Sequence, residues 1–164
     1  MAASPMYKRA KLSIPPSTKT IGTHSGTFQA DEALGVWILR QLPEYRNSAV
    51  VRSRDPDTLV KCDIVIDVGG VYDHATLRYD HHQRGYDERF AKKAKPDGTE
   101  VERCTKLSAS GLVYRHYGKE LISTYYPNLS SELVELAYTK MYNEFMEAID
   151  AIDTGVEPIP SDAK

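Results

Sequence analysis

The hydrophobic pattern of the chain alternates between segments typical of strands and segments typical of helices. Short apolar or β-branched runs predict strands, leading in some cases into loops, over residues 20–26, 49–54, 63–70 and 77–83. Apolar residues at steps of three or four predict helices over residues 31–42, 106–121 and 131–152. Because strands alternate with helices, we expect an α/β fold, with three layers and a mostly parallel sheet flanked by helices.

The two ends of the chain lack this periodicity. Residues 1–19 contain three prolines, three serines and only basic charged side chains, which predicts a disordered basic arm. Its KRAK run is similar to a short nuclear-import signal, although a solvated tail with no targeting function is an equal alternative. We assign residues 20–156 to one domain and residues 157–164 to a tail or the start of a linker to a second domain.

Composition and charge exclude several classes of protein. Only two cysteines are present, so neither a disulfide scaffold nor a cysteine-based zinc site is expected. No apolar stretch is long enough for a membrane span. The net charge is −2, yet residues 78–119 hold ten basic and six acidic residues. A nucleic-acid partner would therefore be met by a local patch, since the overall balance does not favour one.

Metal-seeking side chains end four separated segments of the chain. These segments contain His24 and Asp31, then Asp67, then Asp80, His81 and His82, and finally Asp150 and Asp153. The carboxyl ends of parallel strands meet at one edge of a sheet, so these groups are able to form one cluster. Carboxylates and imidazoles without thiolates favour Mn²⁺ or Mg²⁺, with Zn²⁺ or Fe²⁺ as alternatives. Several carboxylates are able to bridge two ions and so support phosphoryl displacement by a metal-activated water.

Each of these residues also has an ordinary structural interpretation. An adjacent histidine pair is commonly solvated, Asp67 could cap a turn, and the two late aspartates could form a solvated helix face. What favours a metal site is the acid within the apolar run IVIDV, because burying a carboxylate is costly unless it is paired or metal-bound.

Four motifs carry a resemblance to a known family. THSGTFQADEAL, DVGG with YDHHQR, LSASGLVYRHYG and KMYNEF resemble the melanocyte-proliferating-gene protein family, a branch of the DHH phosphoesterase superfamily. The resemblance implies a Mn²⁺- or Mg²⁺-dependent phosphodiesterase with 3′→5′ exonuclease activity on single-stranded RNA. It also implies a location in the nucleus and mitochondria, with which the basic arm agrees.

The resemblance further implies roles for individual residues. His24 and Asp31 would bind metal, Asp67 would bridge two ions, and His81 and His82 would lie at the metals. Asp80 would orient a histidine, so Asp67, Asp80, His81 and His82 make up the expected catalytic centre. A later aspartate would complete the metal site, with Asp153 as the first choice and Asp150 as the second.

Two departures from the family pattern bear on activity. Gln29 stands where the family pattern has a histidine ligand, and an amide is a poorer transition-metal ligand than an imidazole. We therefore expect one of the two ions to be bound more weakly. Family proteins are also about twice as long, with a second domain that closes over the substrate, so turnover by this chain alone is expected to be poor.

The candidate substrate-binding residues follow the histidine pair. Arg84, Lys92 and Lys93 could track a phosphate backbone, and Ser108 and Ser110 at a helix start could hold a terminal phosphate. A solvated loop and an ordinary helix cap are equal alternatives.

The sequence therefore predicts a metal-dependent phosphodiesterase, a 3′→5′ exoribonuclease weakened by Gln29 and by its length. The alternatives are a phosphatase or pyrophosphatase acting on a small substrate, and a catalytically degenerate module that binds nucleic acid or protein. The oligomeric state is left open by the sequence.

Overall fold

A computed structural model describes residues 18–95 and 97–156, and the sheet at its centre is mostly parallel. Its five strands are β1 (Thr20–Thr23), β2 (Ala49–Arg52), β3 (Ile64–Ile66), β4 (Tyr72–Asp73) and β5 (Arg78–Tyr79). The strand order is β2-β1-β3-β5-β4, and only the β4–β5 pair is antiparallel. A separate antiparallel hairpin consists of β6 (Lys93–Ala94) and β7 (Glu100–Val101). The predicted basic arm and C-terminal tail fall almost entirely outside the described residues.

The helices flank this sheet, which confirms the predicted α/β class. They are α1 (Ala30–Gln41), α2 (Pro56–Leu59), α3 (Ala109–Tyr125), α4 (Ser131–Met141) and α5 (Glu147–Asp153). A π-helical turn, Tyr142–Met146, joins α4 to α5, so that the predicted long helix is continuous from Ser131 to Asp153. No helix among the described residues is long and apolar enough to cross a membrane.

Strand β3 is buried on both faces, as its apolar sequence predicts. Ile64 and Ile66 belong to the main core, which includes side chains of α1 and α3. Val65 points to the opposite face, where it packs with Leu59 and Cys62 in a smaller cluster. Within residues 18–95 and 97–156, the second face of the sheet is thus covered by a smaller apolar cluster than the first.

The long C-terminal helix buries a different set of residues from its apolar stripe. Of the apolar positions that carry the predicted periodicity, Leu133, Leu136, Met141, Phe145 and Ile152 are exposed. The buried positions are four residues apart, at Tyr138, Tyr142, Met146 and Asp150. Because Leu133, Leu136 and Tyr138 all precede the π-helical turn, the apolar stripe and the buried face already differ within α4.

Two short features of the fold were missed by the sequence analysis. Strand β4 and the β6–β7 hairpin consist of two-residue strands, which are too short to show an alternating pattern.

Helix α3 begins at Ala109, three residues later than predicted, and continues past Gly118 to Tyr125. A Cβ at Gly118 would lie 2.8 Å from the rings of Tyr114 and Tyr138, so glycine allows this close packing inside the helix.

Candidate metal centre

The carboxyl edge of the parallel sheet gathers the candidate metal ligands. His24 directly follows β1, Asp67 directly follows β3, and Asp80 directly follows β5. Asp31 lies in the first turn of α1, and Asp153 is the last residue of α5. The topology that the sequence predicts therefore brings side chains from five elements to one place.

One group of possible ligands consists of Asp31, His81 and Asp153. One ligand atom from each of the three lies within 4.8 Å of the other two. His81 Nε2 lies 2.9 Å from Asp153 Oδ2. Asp31 is buried, whereas His81 and Asp153 are partly buried at the mouth of the cleft.

A second group consists of His24, Glu32 and Asp67, all of which are buried. His24 Nε2 lies 3.3 Å from Asp67 Oδ2 and also contacts Glu32 Oε2. The other carboxylate oxygen of Glu32 pairs with the guanidinium of Arg52 on β2. Arg52 therefore fixes Glu32 and leaves its second oxygen directed at the imidazole of His24.

Asp67 belongs to the second group, contacts the first, and forms a third group of possible ligands with Asp80, His81 and His82. Besides His24, it lies 3.8 Å from His81 Nδ1 and 3.6 Å from His82 Nδ1, both measured from Oδ1. Its backbone has a φ of 56°, in the left-handed region that few residues other than glycine and asparagine adopt easily. Such a conformation, held by the flanking buried strand, is common at functional sites.

Asp80 orients the histidine pair and the loop after β3. Its Oδ2 accepts a hydrogen bond of 2.6 Å from Gly70 N, and its Oδ1 lies 2.8 Å from His82 Nδ1. Burial alone would raise the pKa of Asp80, but the backbone amides of His82 and Gly70 and the His82 imidazole bring it below its ordinary value. Asp80 is therefore held as a carboxylate that positions His82.

The buried polar atoms of this centre lie against one another without forming hydrogen bonds of regular geometry. Among the described residues, all the buried side-chain oxygens and nitrogens without a partner belong to the centre, apart from those of Thr23 and Ser48. They belong to His24, Asp31, Glu32, Asp67, His81 and Asp153. Uncompensated burial of such atoms is costly, whereas coordination of a cation satisfies them. The residues present therefore fit one or two divalent ions.

Burial and neighbouring carboxylates raise the pKa values of two aspartates in the centre. Burial and the neighbouring Asp31 raise the pKa of Asp67 to about 8. Burial and Asp153 raise the pKa of Asp31 as well. Burial lowers the pKa of His81, but the adjoining Asp153 carboxylate outweighs this and raises it overall. A bound cation would reverse these carboxylate shifts, because it favours the ionised forms.

Gln29 lies at the cleft but is not buried with the ligands. It is exposed at the start of α1, and it makes no capping hydrogen bond through its side chain. It lines both a cavity of about 350 Å³ that contains His24 and Asp67 and a cavity of about 340 Å³ that contains Asp31 and Asp153. Position 29 is therefore near enough to both groups of ligands to influence either ion.

Asp150 is not brought into the cluster. It is fully buried, its Oδ1 accepts hydrogen bonds from the backbone amide and the hydroxyl of Ser108, and its Oδ2 accepts one from the Tyr142 hydroxyl. Ser108 is in turn hydrogen-bonded to Ser110, and both serines are buried. The hydrogen bonds between Asp150 and Ser108 tie α5 to the start of α3.

The basic candidates lie in different surroundings. Lys92 pairs with Glu102, and Lys93 lies 3.5 Å from Glu147. Arg84 is exposed, two residues after His82. Only Arg84 of these three forms no ion pair within the described part of the chain.

Glu32 and Arg52 were missed by the sequence analysis. An acid in the first turn of a helix is ordinarily explained by the helix dipole, so the DE pair gave no reason to single out Glu32. The available signal was its place one residue after Asp31, next to a strand that carries an arginine at its end.

Fold and site together define an α/β protein with a candidate divalent-metal centre built from carboxylates and imidazoles. The family model MYG1_exonuc, described as an uncharacterised protein family (UPF0160), matches residues 20–164. The chain belongs to this family, as the motif resemblance predicts.

Curated proteins of the same family are similar to most of the chain. A MYG1 protein of Caenorhabditis elegans is 47% identical over 140 residues, which are 85% of this chain and 40% of that protein. The MYG1 exonuclease of Homo sapiens is 45% identical over 153 residues, 93% of this chain and 39% of that protein. A MYG1 protein of Saccharomyces cerevisiae is 45% identical over 159 residues, 95% of this chain and 44% of that protein. The chain thus spans about two fifths of the relatives' length, and no solved structure matches it.

Proposed function

We propose that the protein is a metal-dependent phosphodiesterase that removes nucleotides from single-stranded RNA in the 3′→5′ direction. Membership of a family whose human and rodent members are named exonucleases supports a nuclease or phosphoesterase. The observation that carries the metal requirement is the set of buried oxygens and nitrogens around Asp67 that face one another without hydrogen bonds of regular geometry. We propose Mn²⁺ or Mg²⁺ as the cofactor and, from the motif resemblance, the nucleus and mitochondria as the location.

The residues of the chain have separate tasks in this proposal. Asp31, His81 and Asp153 would hold one ion and His24 and Glu32 the other, with Asp67 contributing to both and His82 lying at the metals beside it. Bound divalent ions lower the pKa of a coordinated water and neutralise charge on a phosphate. Asp80 would hold His82 beside Asp67, and Arg52 would keep Glu32 directed at His24.

The test is trimming of end-labelled single-stranded RNA with Mn²⁺ or Mg²⁺, with and without EDTA. We expect trimming that EDTA abolishes and that is lost in Asp67→Asn, with Asp57→Asn on the exposed surface of α2 as the matched control. Labels at the two ends distinguish 3′→5′ from 5′→3′ removal. A metal-loaded wild type that leaves both labels intact would contradict the proposal, as would an Asp67→Asn variant with full turnover.

A second candidate, a phosphatase or pyrophosphatase for a small substrate, is favoured by one observation. Lys92 and Lys93 are paired with acids, so the predicted basic patch offers less charge for a long phosphate backbone. A rate on a small phosphate ester that exceeds the rate on RNA and is insensitive to salt would favour this candidate.

A further inference from the structure

A groove of about 360 Å³ lies on the sparsely covered second face of the sheet, beside the candidate metal centre. Its apolar wall includes Leu59, Val60, Val65, Val68 and Val71. Val60 is 70% exposed and Val71 is 47% exposed, although both are large aliphatic side chains. A cavity of this size is in the range of small-molecule sites.

The groove is continuous with the cavity that contains His24 and Asp67. Arg54, Val68 and Gly69 line both the groove and the cavity that contains His24 and Asp67. Gly69 has a φ of +103°, and a Cβ built there would meet no atom within 4 Å, so open space lies at this junction. A molecule with one end at the metal centre could therefore extend into the groove.

Arg54 supplies a cation at the junction. Its Nε donates a hydrogen bond of 3.3 Å to the carbonyl oxygen of Ser25, and within the described residues its guanidinium forms no ion pair with a carboxylate. The other arginine of the groove, Arg78, donates to the backbone carbonyls of Thr76, Leu77 and Cys62. Arg54 therefore retains donors for a ligand, whereas both terminal nitrogens of Arg78 already donate to backbone carbonyls.

We infer that this groove is a nucleoside subsite, in which Arg54 binds a phosphate of the substrate and the valine wall contacts the attached ribose and base. The inference rests on the proposed function and adds to it the place where the nucleotide next to the metal centre is held. A guanidinium suits a phosphate because it donates parallel hydrogen bonds to two oxygens. The valine wall offers no hydrogen bonds to base edges, so we expect all four bases to be accepted.

The test uses adenosine 5′-monophosphate and inorganic phosphate as probes, each titrated with Mg²⁺ while valine methyl signals are followed by NMR. We expect adenosine monophosphate to shift the signals of Val60 and Val71 and inorganic phosphate to leave them unchanged. Arg54→Gln should weaken adenosine monophosphate binding about tenfold, as expected for loss of a charge-assisted hydrogen bond. Val60→Asp should weaken binding of the nucleotide and not of phosphate.

Two variants of similar exposure and chemistry serve as controls. Arg46→Gln and Leu136→Asp change exposed residues outside the groove and should leave binding unchanged. Unchanged affinity in both groove variants, or valine signals that respond only to protein concentration, would overturn the inference. RNA trimming by the wild type is measured separately, so trimming without groove binding rejects the subsite alone. Groove binding without trimming rejects the nuclease while retaining the nucleotide site.

Discussion

At the scale of single residues, Asp67 combines a functional and a conformational requirement. Asparagine is similar to the protonated form that the raised pKa of about 8 favours without metal, and it tolerates a φ of 56°. We therefore expect Asp67→Asn to keep or raise the free energy of unfolding in EDTA while abolishing metal binding at the centre. Asp67→Ala should be less stable than Asp67→Asn by about 1 kcal/mol, because alanine is strained in the left-handed region.

Urea unfolding in EDTA and calorimetric Mn²⁺ titration of the three proteins check this expectation. Equal stability of the alanine and asparagine variants would contradict the expected strain of alanine in the left-handed region. Unchanged Mn²⁺ affinity in Asp67→Asn would contradict its place as the ligand shared by both groups.

Gln29 is the residue at which this chain departs from the family motif. Because it lines both the cavity that contains Asp67 and the cavity that contains Asp31 and Asp153, we expect an imidazole at this position to add a nitrogen ligand to the centre. We expect Gln29→His to raise Mn²⁺ affinity or stoichiometry in calorimetric titration. Gln41→His, at the far end of α1, is the control. Identical titrations of the wild type and Gln29→His would show that position 29 does not reach an ion.

At the scale of elements, the junction of α3 with α5 depends on a glycine. A Cβ at Gly111 would lie 2.4 Å from both carboxylate oxygens of Asp150, which are fixed by Ser108 and Tyr142. We expect Gly111→Ala to lower the free energy of unfolding by about 1–3 kcal/mol, despite the higher helix propensity of alanine. Because α5 also carries Asp153, metal affinity should fall as well.

Gly35→Ala is a milder comparison, since the closest atom to its Cβ would be the flexible end of Ile66, at 3.1 Å, and the next would lie at 3.7 Å. Thermal unfolding of both variants with EDTA measures the difference. Gly111→Ala at or above the stability of Gly35→Ala would show that Asp150 is free to move.

The same junction predicts that the free energy of unfolding depends on pH. Burial raises the pKa of Asp150 to about 6, against the opposing hydrogen bonds from Ser108 and Tyr142. A carboxylate whose folded pKa is raised adds stability that is present below about pH 4 and lost as the pH rises through about 6. Relative to Asp150→Asn, the wild type should lose up to about 3 kcal/mol between pH 4 and pH 7. Urea unfolding of both proteins in EDTA across this range is the measurement, and parallel profiles would contradict the shift.

The extent to which sequence predicted these elements follows from their length and packing. The β1, β3 and α1 segments are long or apolar enough for periodicity to locate them, whereas the two-residue strands are not. The choice between Asp150 and Asp153 was undecidable from spacing, because residues i and i+3 share a helix face. Hydrogen bonds from Tyr142 and Ser108 hold Asp150 in the interior, whereas Asp153 contacts His81.

At the scale of the whole molecule, the predicted parallel topology is enough to bring most of the candidate metal ligands together. His24, Asp67 and Asp80 meet because each follows a strand of one parallel sheet, which is a property that sequence shows. Glu32 did not follow from this rule, since its role depends on Arg52 reaching across from β2. The groove beside the centre was equally hidden, because it results from how little covers the second face of the sheet.

The raised carboxylate pKa values also predict how metal and pH act together on the stability of the protein. Without metal, the raised pKa of Asp67 adds stability that is lost as the pH rises through about 8, and the raised pKa of Asp31 acts in the same direction. Mg²⁺ requires ionised carboxylates and a neutral His81, so its affinity should rise over the same range. Mg²⁺ at a hundred times its dissociation constant should stabilise the protein by about 2.7 kcal/mol. We therefore expect the gap between urea unfolding in Mg²⁺ and in EDTA to widen from pH 6 to pH 8 at a fixed Mg²⁺ concentration. A gap of constant size would mean that these buried acids do not bind the ion.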